Sequence, residues 1–451
     1  MRTRQIKRVA FSTVAAVLLL TGVLNVRSVI GGGDTRFWDV DPSGPSATDQ
    51  IVGISDRLPT KLDAQILTLQ DRLRMNPNEG QAAMRLGWAY IQKVREVGDP
   101  SYYPKAEALF KQALARDDKD YAAAAGLGAL ALARHEFADA LEWGQRSVEI
   151  NPRFTAGYGV AGDAQIELGR YDEAIATFQT MVDLRPDLSS FSRVSYAREL
   201  HGDVPGAIDA MQRAAQAGAG TLENVAWTQM QIGNLFFNMG DLDGATAQYN
   251  ASLETLDGYV YGLTGLGRLA AARGDFAGAI DLYQQAIRTM PLPEFVIVLG
   301  DLYLVSGNPA EAAKQYALVD AMQKLYQQNG VNVDIEMALF DADHDRNLET
   351  ALKRARDAYT KRPSIKVADV LAWTLYKTGN TEEARRYSQE ALRLGTKDAL
   401  MLFHAAMIEA ELGNRAAAID LLQRALAINP NFSVLYAAQA RTTLAQLQAA
   451  V

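Results

Sequence analysis

Over most of the chain, apolar residues recur three and four positions apart, in stretches of about 12–14 residues. Each stretch is broken by a Gly-Asp or Gly-Asn pair, or by a proline. This pattern predicts amphipathic helices joined by short turns. One phrase returns with small changes: RYDEAIATFQTMVDLRP (170–186), RGDFAGAIDLYQQAIRTMP (273–291), GNTEEARRYSQEALRLG (379–395) and GNRAAAIDLLQRALAINP (413–430). A phrase written this often implies one structural unit used many times.

The alanine inside the phrase fixes the register. Its counterparts are Ala106, Ala140, Ala174, Ala207, Ala245, Ala279, Ala312, Ala351, Ala384 and Ala418, at steps of 34, 34, 33, 38, 34, 33, 39, 33 and 34 residues. Other positions keep step with it. A small residue precedes it by twelve in most units (Gly128, Gly162, Ser195, Gly233, Gly267, Gly300, Ala372, Ala406). A turn glycine stands five before it in seven units, and in several units a proline twelve after. Small residues let two helices approach closely where they cross, and a larger side chain there would push them apart. Proline opens the next connection because it cannot continue a helix. A single hairpin of this kind cannot bury its apolar face, but stacked neighbours can.

The 34-residue helix-turn-helix unit resembles the tetratricopeptide repeat, carried in the 155–186 unit by Tyr158, Gly162, Gly169, Tyr171, Ala174, Phe178 and Pro186. The resemblance spans residues 80–430 and implies an all-α fold, a right-handed superhelix of about ten repeats. It departs from the pattern at REVGDPSYYP (95–104), at AAQAGAGTLEN (214–224), at the 39-residue step and at His135, which replaces a turn glycine. The resemblance also implies a concave groove lined by the first helix of each unit. In this register the groove positions include Trp227, Asn234, Phe237, Arg268, Phe340, Trp373, Tyr376, Phe403 and Met407. The cluster Phe340, Trp373, Tyr376, Phe403 and Met407 is expected to offer an apolar surface to a partner peptide or helix. The alternative is that these rings pack between adjacent repeats. Asn234 matches one position of a carboxylate clamp, but Met230 stands where its lysine is expected.

The N-terminus breaks the pattern. Arg2, Arg4, Lys7 and Arg8 precede the uncharged run Val9–Val26, which as a helix would span about 27 Å, close to a membrane's hydrocarbon core. The chain therefore divides into a signal anchor (1–30), a Gly/Pro/Ser-rich linker (31–60), an opening cap helix (61–79), the repeat solenoid (80–431) and a closing helix (432–451). The basic flank places the body outside the cytoplasm of a bacterial cell, held by a single membrane pass through residues 9–26. The alternative is a periplasmic or secreted solute- or carbohydrate-associated protein, released by signal cleavage.

Composition removes several functions. There is no cysteine, so no disulfide, thiolate metal site or cysteine nucleophile. Net charge is −8; residues 1–30 hold five basic residues and no acid, so the rest has 40 basic against 53 acidic residues, and an acidic body repels phosphate backbones, which argues against nucleic-acid binding. GYGVAG (157–162) has the spacing of a dinucleotide loop but no strand before it. DADHDRN (341–347) begins like a calcium loop, but Arg346 and Leu352 stand at its glycine and glutamate positions. No two of His135, His201, His344 and His404 have helical ligand spacing. The expectation is a non-enzymatic scaffold for protein partners, without metal or cofactor.

Overall fold

The structure, a computed structural model, describes residues 61–217 and 222–449. The expected anchor and linker lie outside these residues. The described chain is helical throughout, with helices α1 (Lys61–Met75), α2 (Gly80–Val97), α3 (Tyr102–Leu114), α4 (Tyr121–Ala133), α5 (Phe137–Ile150), α6 (Thr155–Glu167), α7 (Tyr171–Leu184), α8 (Leu188–Leu200), α9 (Val204–Ala217), α10 (Leu222–Asn238) and α11 (Leu242–Thr255) in its first half. The second half holds α12 (Val260–Ala272), α13 (Phe276–Thr289), α14 (Pro293–Val305), α15 (Pro309–Gln328), α16 (Asp334–Asp343), α17 (Leu348–Lys361), α18 (Ile365–Lys377), α19 (Thr381–Ala391), α20 (Ala399–Glu411), α21 (Arg415–Ile428) and α22 (Tyr436–Ala449). Ten hairpins, from α2/α3 to α20/α21, form a solenoid, with α1 packed on α2 and α22 on α21. No helix among the described residues is long and apolar enough to cross a membrane.

Local chemistry sets the helix ends. Asp120, Asp241, Asp275 and Asp398 cap their helices by accepting backbone N–H groups, and Asp187 forms a reciprocal capping box with Ser190. The turn inside each hairpin needs one residue in the left-handed region, which glycine adopts without steric cost. His135 takes that conformation in the second unit, at φ 62°.

The two helices of a hairpin differ. First helices such as α4 (YAAAAGLGALALA) and α6 are buried almost all round, because neighbours flank them on both sides. Second helices are amphipathic and bury mainly the register alanine and its neighbours. Ala140, Ala174, Ala207, Ala245, Ala279, Ala384 and Ala418 have no exposed surface, and Ala312 almost none. Glycine at the crossing admits an aromatic ring: a Cβ at Gly162 would lie 2.2 Å from Phe178 Cε1, and one at Gly300 2.4 Å from Tyr316 Cε1.

The solenoid also meets itself. The hairpin turns of the first five units lie against the inter-unit connections of the last five. Gly98 faces Leu292, Arg134 faces Gly330, Gly169 faces Pro363, Gly202 faces Gly395 and Gly240 faces Ile428. Hydrogen bonds cross the same line at nearly constant sequence separation. His135 Nδ1 is 2.6 Å from the Asn332 carbonyl, Ile365 N donates to Tyr171 Oη, and Asn429 Nδ2 donates to the Phe237 carbonyl, across 197, 194 and 192 residues. Each turn thus meets the connection about five and a half units further on, and the ten units form two stacked turns of a tight coil joined along a seam.

Candidate functional site

On the inner side of the seam lies a cavity of about 440 Å³. The first five units contribute His135, Glu167, Tyr196 and Glu199 to its wall, and the last five Arg268, Glu336, Arg362, Lys366, Asp369 and Asp398. Apolar surface between these groups comes from Leu235, Leu339, Val367, Val370, Met401 and Phe432. The first helices of the hairpins supply most of it, since they form the inside of the coil.

The charged groups are held by their surroundings. The Arg362 guanidinium lies over the Phe137 ring and 3.6 Å from Glu167. Arg268 donates to Asn234 and Asn238 and sits 4.1 Å from the Phe237 ring centroid. The Lys366 ammonium is 4.8 Å from the Tyr196 ring centroid. Burial pulls its pKa down, while Glu167, Glu199 and Asp398 act to raise it. Burial raises the Glu199 carboxyl, with Lys366 and an Asn238 hydrogen bond opposing. Asp398, the α20 cap, is likewise raised by burial and by the charge of Asp369. Tyr196 Oη and Glu336 Oε2 are buried with no hydrogen-bond partner among the described residues. Donors and acceptors alternating with apolar surface suit a polypeptide, whose backbone needs both.

Most of the groove aromatics expected from the sequence are elsewhere. Phe340, Trp373 and Phe403 are fully buried, and Trp227 and Phe237 nearly so, which corrects their assignment to an open partner surface. Trp373 stacks on His404 at 4.2 Å and on Tyr376 at 5.0 Å, and meets Tyr436 of α22 edge-on. Phe403 packs on Tyr436 and Phe432. These rings fill the contact between successive units and the closing helix. Tyr376 and Met407 are half-buried at the edge of that cluster. Asn234 accepts from Tyr249 Oη and Arg268 and donates to Gln231, so its amide is committed to internal bonds. Of the nine expected positions, Arg268 lines the cavity directly.

The other motifs have structural roles. GYGVAG lies within α6, where Gly162 receives the Phe178 ring. In DADHDRN, Asp343 Oδ1 accepts from Trp373 Nε1 at 2.6 Å and Tyr436 Oη at 2.8 Å. Asp341 accepts from Asn347 and Arg354. Among the described residues no group of three or more His, Asp or Glu is placed to hold a metal ion. The buried Asp163–Arg193 pair is bidentate, at 2.9 and 2.7 Å. Burial pushes the Asp163 carboxyl up to about 6 despite the pull of the guanidinium.

Hairpins of this length, stacked in register around a common inner wall, define an α-solenoid repeat protein. The tetratricopeptide repeat family model matches residues 102–153, 160–220, 230–291, 264–321 and 370–431. These segments cover more than half of the chain, and the protein belongs to the tetratricopeptide repeat family. No segment matches between 321 and 370, where α15 runs to 20 residues and α16 shrinks to 10.

No curated protein matches the chain. Among solved structures it is similar to TTC0263, a thermophilic TPR protein of Thermus thermophilus, with 24% identity over 43% of this chain and 97% of that one, TM-score 0.37. It is also similar to the APC/C hetero-tetramer Cut9–Hcn1 (15% identity, 86% and 83% coverage, TM-score 0.38) and to the human IFIT1 dimer with m7Gppp-AAAA (14%, 74% and 77%, TM-score 0.45). These are likenesses of fold.

Proposed function

We propose that the protein is a non-catalytic interaction scaffold of the bacterial cell envelope, which holds a polypeptide partner against the inner wall of the coil. The observation that carries this reading is the seam cavity, where Arg268, Lys366, Tyr196 and Glu199 stand among apolar side chains on a wall built from successive repeats. The envelope assignment rests on the basic residues ahead of the uncharged run Val9–Val26. The partner is protein rather than nucleic acid, in keeping with the net charge of −8.

The test is a crosslinking pull-down from native membranes with the full chain, followed by mass spectrometry. The partner set captured by the unmodified protein is expected to fall at least tenfold with Lys366→Glu and Arg268→Glu together, while helical content stays the same. A partner set unaffected by that change would place binding elsewhere. A second reading is a released periplasmic protein that binds a small solute, favoured by a cavity volume in the range of small-molecule pockets. Recovery in the soluble periplasmic fraction, with a new N-terminus near residue 30, would favour it over the tethered scaffold.

A further inference from the structure

The seam differs in kind from the rest of the packing. Within each turn, helices pack broadly on their sequence neighbours, and across the seam no pair of helices among the described residues packs in this way. The contact there runs from turn to connection, through scattered polar and ionic contacts and a few buried apolar side chains such as Val331 and Ile365. The polar contacts include Asn332 N at the Arg134 carbonyl, the His135 ring at the Asn332 carbonyl, the Tyr171 hydroxyl at Ile365 N, Asn429 at the Phe237 carbonyl, and Arg362 at 3.6 Å from Glu167. Such contacts can part without unfolding any hairpin, because each hairpin keeps its own alanine crossing and its own neighbours.

The glycines record how closely the two turns approach. A Cβ at Gly169 would lie 2.5 Å from the Pro363 carbonyl oxygen, at Gly202 2.4 Å from that of Gly395, and at Gly240 2.7 Å from that of Ile428. The corresponding turn glycines Gly274, Gly307, Gly379 and Gly413 have the same left-handed φ, yet a Cβ there would meet nothing within 4 Å. Glycine at 169, 202 and 240 therefore serves two needs, the turn and the clearance for the opposing backbone. The second need exists only when the coil is closed.

From this geometry we infer that the seam is a gate. The two turns of the coil separate along the line from Gly98–Leu292 to Gly240–Ile428, and a partner polypeptide is admitted sideways to the cavity when they do. The closed form narrows the sideways path to the binding wall, and hairpin turns act as the latch. The inference rests on the scaffold reading for what passes through the gate. The opening itself is independent of any partner and is tested without one.

The chain has no cysteine, so spin labels can be placed cleanly at Asp172→Cys and Lys361→Cys, exposed positions on the two sides of the seam. Double electron–electron resonance on the labelled full chain should show a short distance with a second, longer population. Gly169→Ala with Gly202→Ala should raise the longer population severalfold. Gly379→Ala with Gly413→Ala, which impose the same left-handed strain away from the seam, should leave the ratio unchanged. If the seam glycine variant fails to fold, Tyr171→Phe removes the latch hydrogen bond from Ile365 N without altering a turn and should shift the ratio the same way. One narrow short distance in the parent and in a folded seam variant would overturn the gate. So would equal opening in the control pair. A gate that opens while the pull-down yields no partner would leave the gate standing and remove the scaffold reading.

Discussion

Asp343 shows how a residue that looks like a ligand in the sequence becomes part of a core. It sits on α16 with Trp373 and Tyr436 donating to one oxygen, while Oδ2 has no hydrogen-bond partner among the described residues. Burial pushes its carboxyl up to about 7, with His404, His344 and the two hydrogen bonds opposing. The unfolded chain ionises this group near 3.8. Between these values the folded state binds the extra proton, so stability falls as pH rises from about 4 to about 7 and is level beyond. The slope from one such proton is at most about 1.4 kcal/mol per pH unit. Asp343→Asn keeps the acceptor for Trp373 and Tyr436 and removes the titration. Urea unfolding followed from pH 4 to 8 should therefore show a shallower decline in the variant, and an unchanged slope would assign the effect to other buried acids such as Asp163 and Glu294. His135 makes the complementary point. It departs from the turn glycine because its ring reaches across the seam to Asn332, a role invisible to any local pattern.

The helical hairpin was readable directly from the chain. Apolar spacing, turn glycines and the alanine register identify helices and their crossings because these depend on neighbours within one or two units. The aromatic residues were harder. Trp373 and Phe403 occupy register positions that can face a groove or the next unit, and the two environments ask for the same side chain. What decides between them is α22, whose Tyr436 covers both rings. The cavity was harder still, since Lys366 and Tyr196 meet only through the coil's closure. At this scale the tightest crossing is testable. Gly162→Ala would drive a methyl into the buried Phe178 ring, and overpacking of this kind costs about 1–3 kcal/mol. Chemical denaturation should show that loss, and Phe178→Leu in the same chain should restore part of it by clearing the ring.

For the whole molecule, the ends and the seam matter most. The closing helix α22 buries Tyr436, Ala437 and Ala440 against the last repeats. Terminal units of a solenoid need such a cover to stay soluble. Removing residues 432–451 should expose Phe403 and Trp373, lower the unfolding midpoint and produce concentration-dependent association. Light scattering after size-exclusion chromatography would detect this, and a truncated chain that stayed monomeric would show that α22 is not a cap. The seam has a separate consequence, for how such a chain can change length. An open array can gain or lose a unit by duplication or deletion, since every step is like the last. Here Tyr171 must find Ile365 and Phe237 must find Asn429, so a unit added between them would set each turn opposite a stranger. The 39-residue step falls inside both spans and the 38-residue step inside the first, and they are part of the measure. Growth is free only beyond the two ends. Between them the number of repeats is fixed, as in a ring, although the chain never closes.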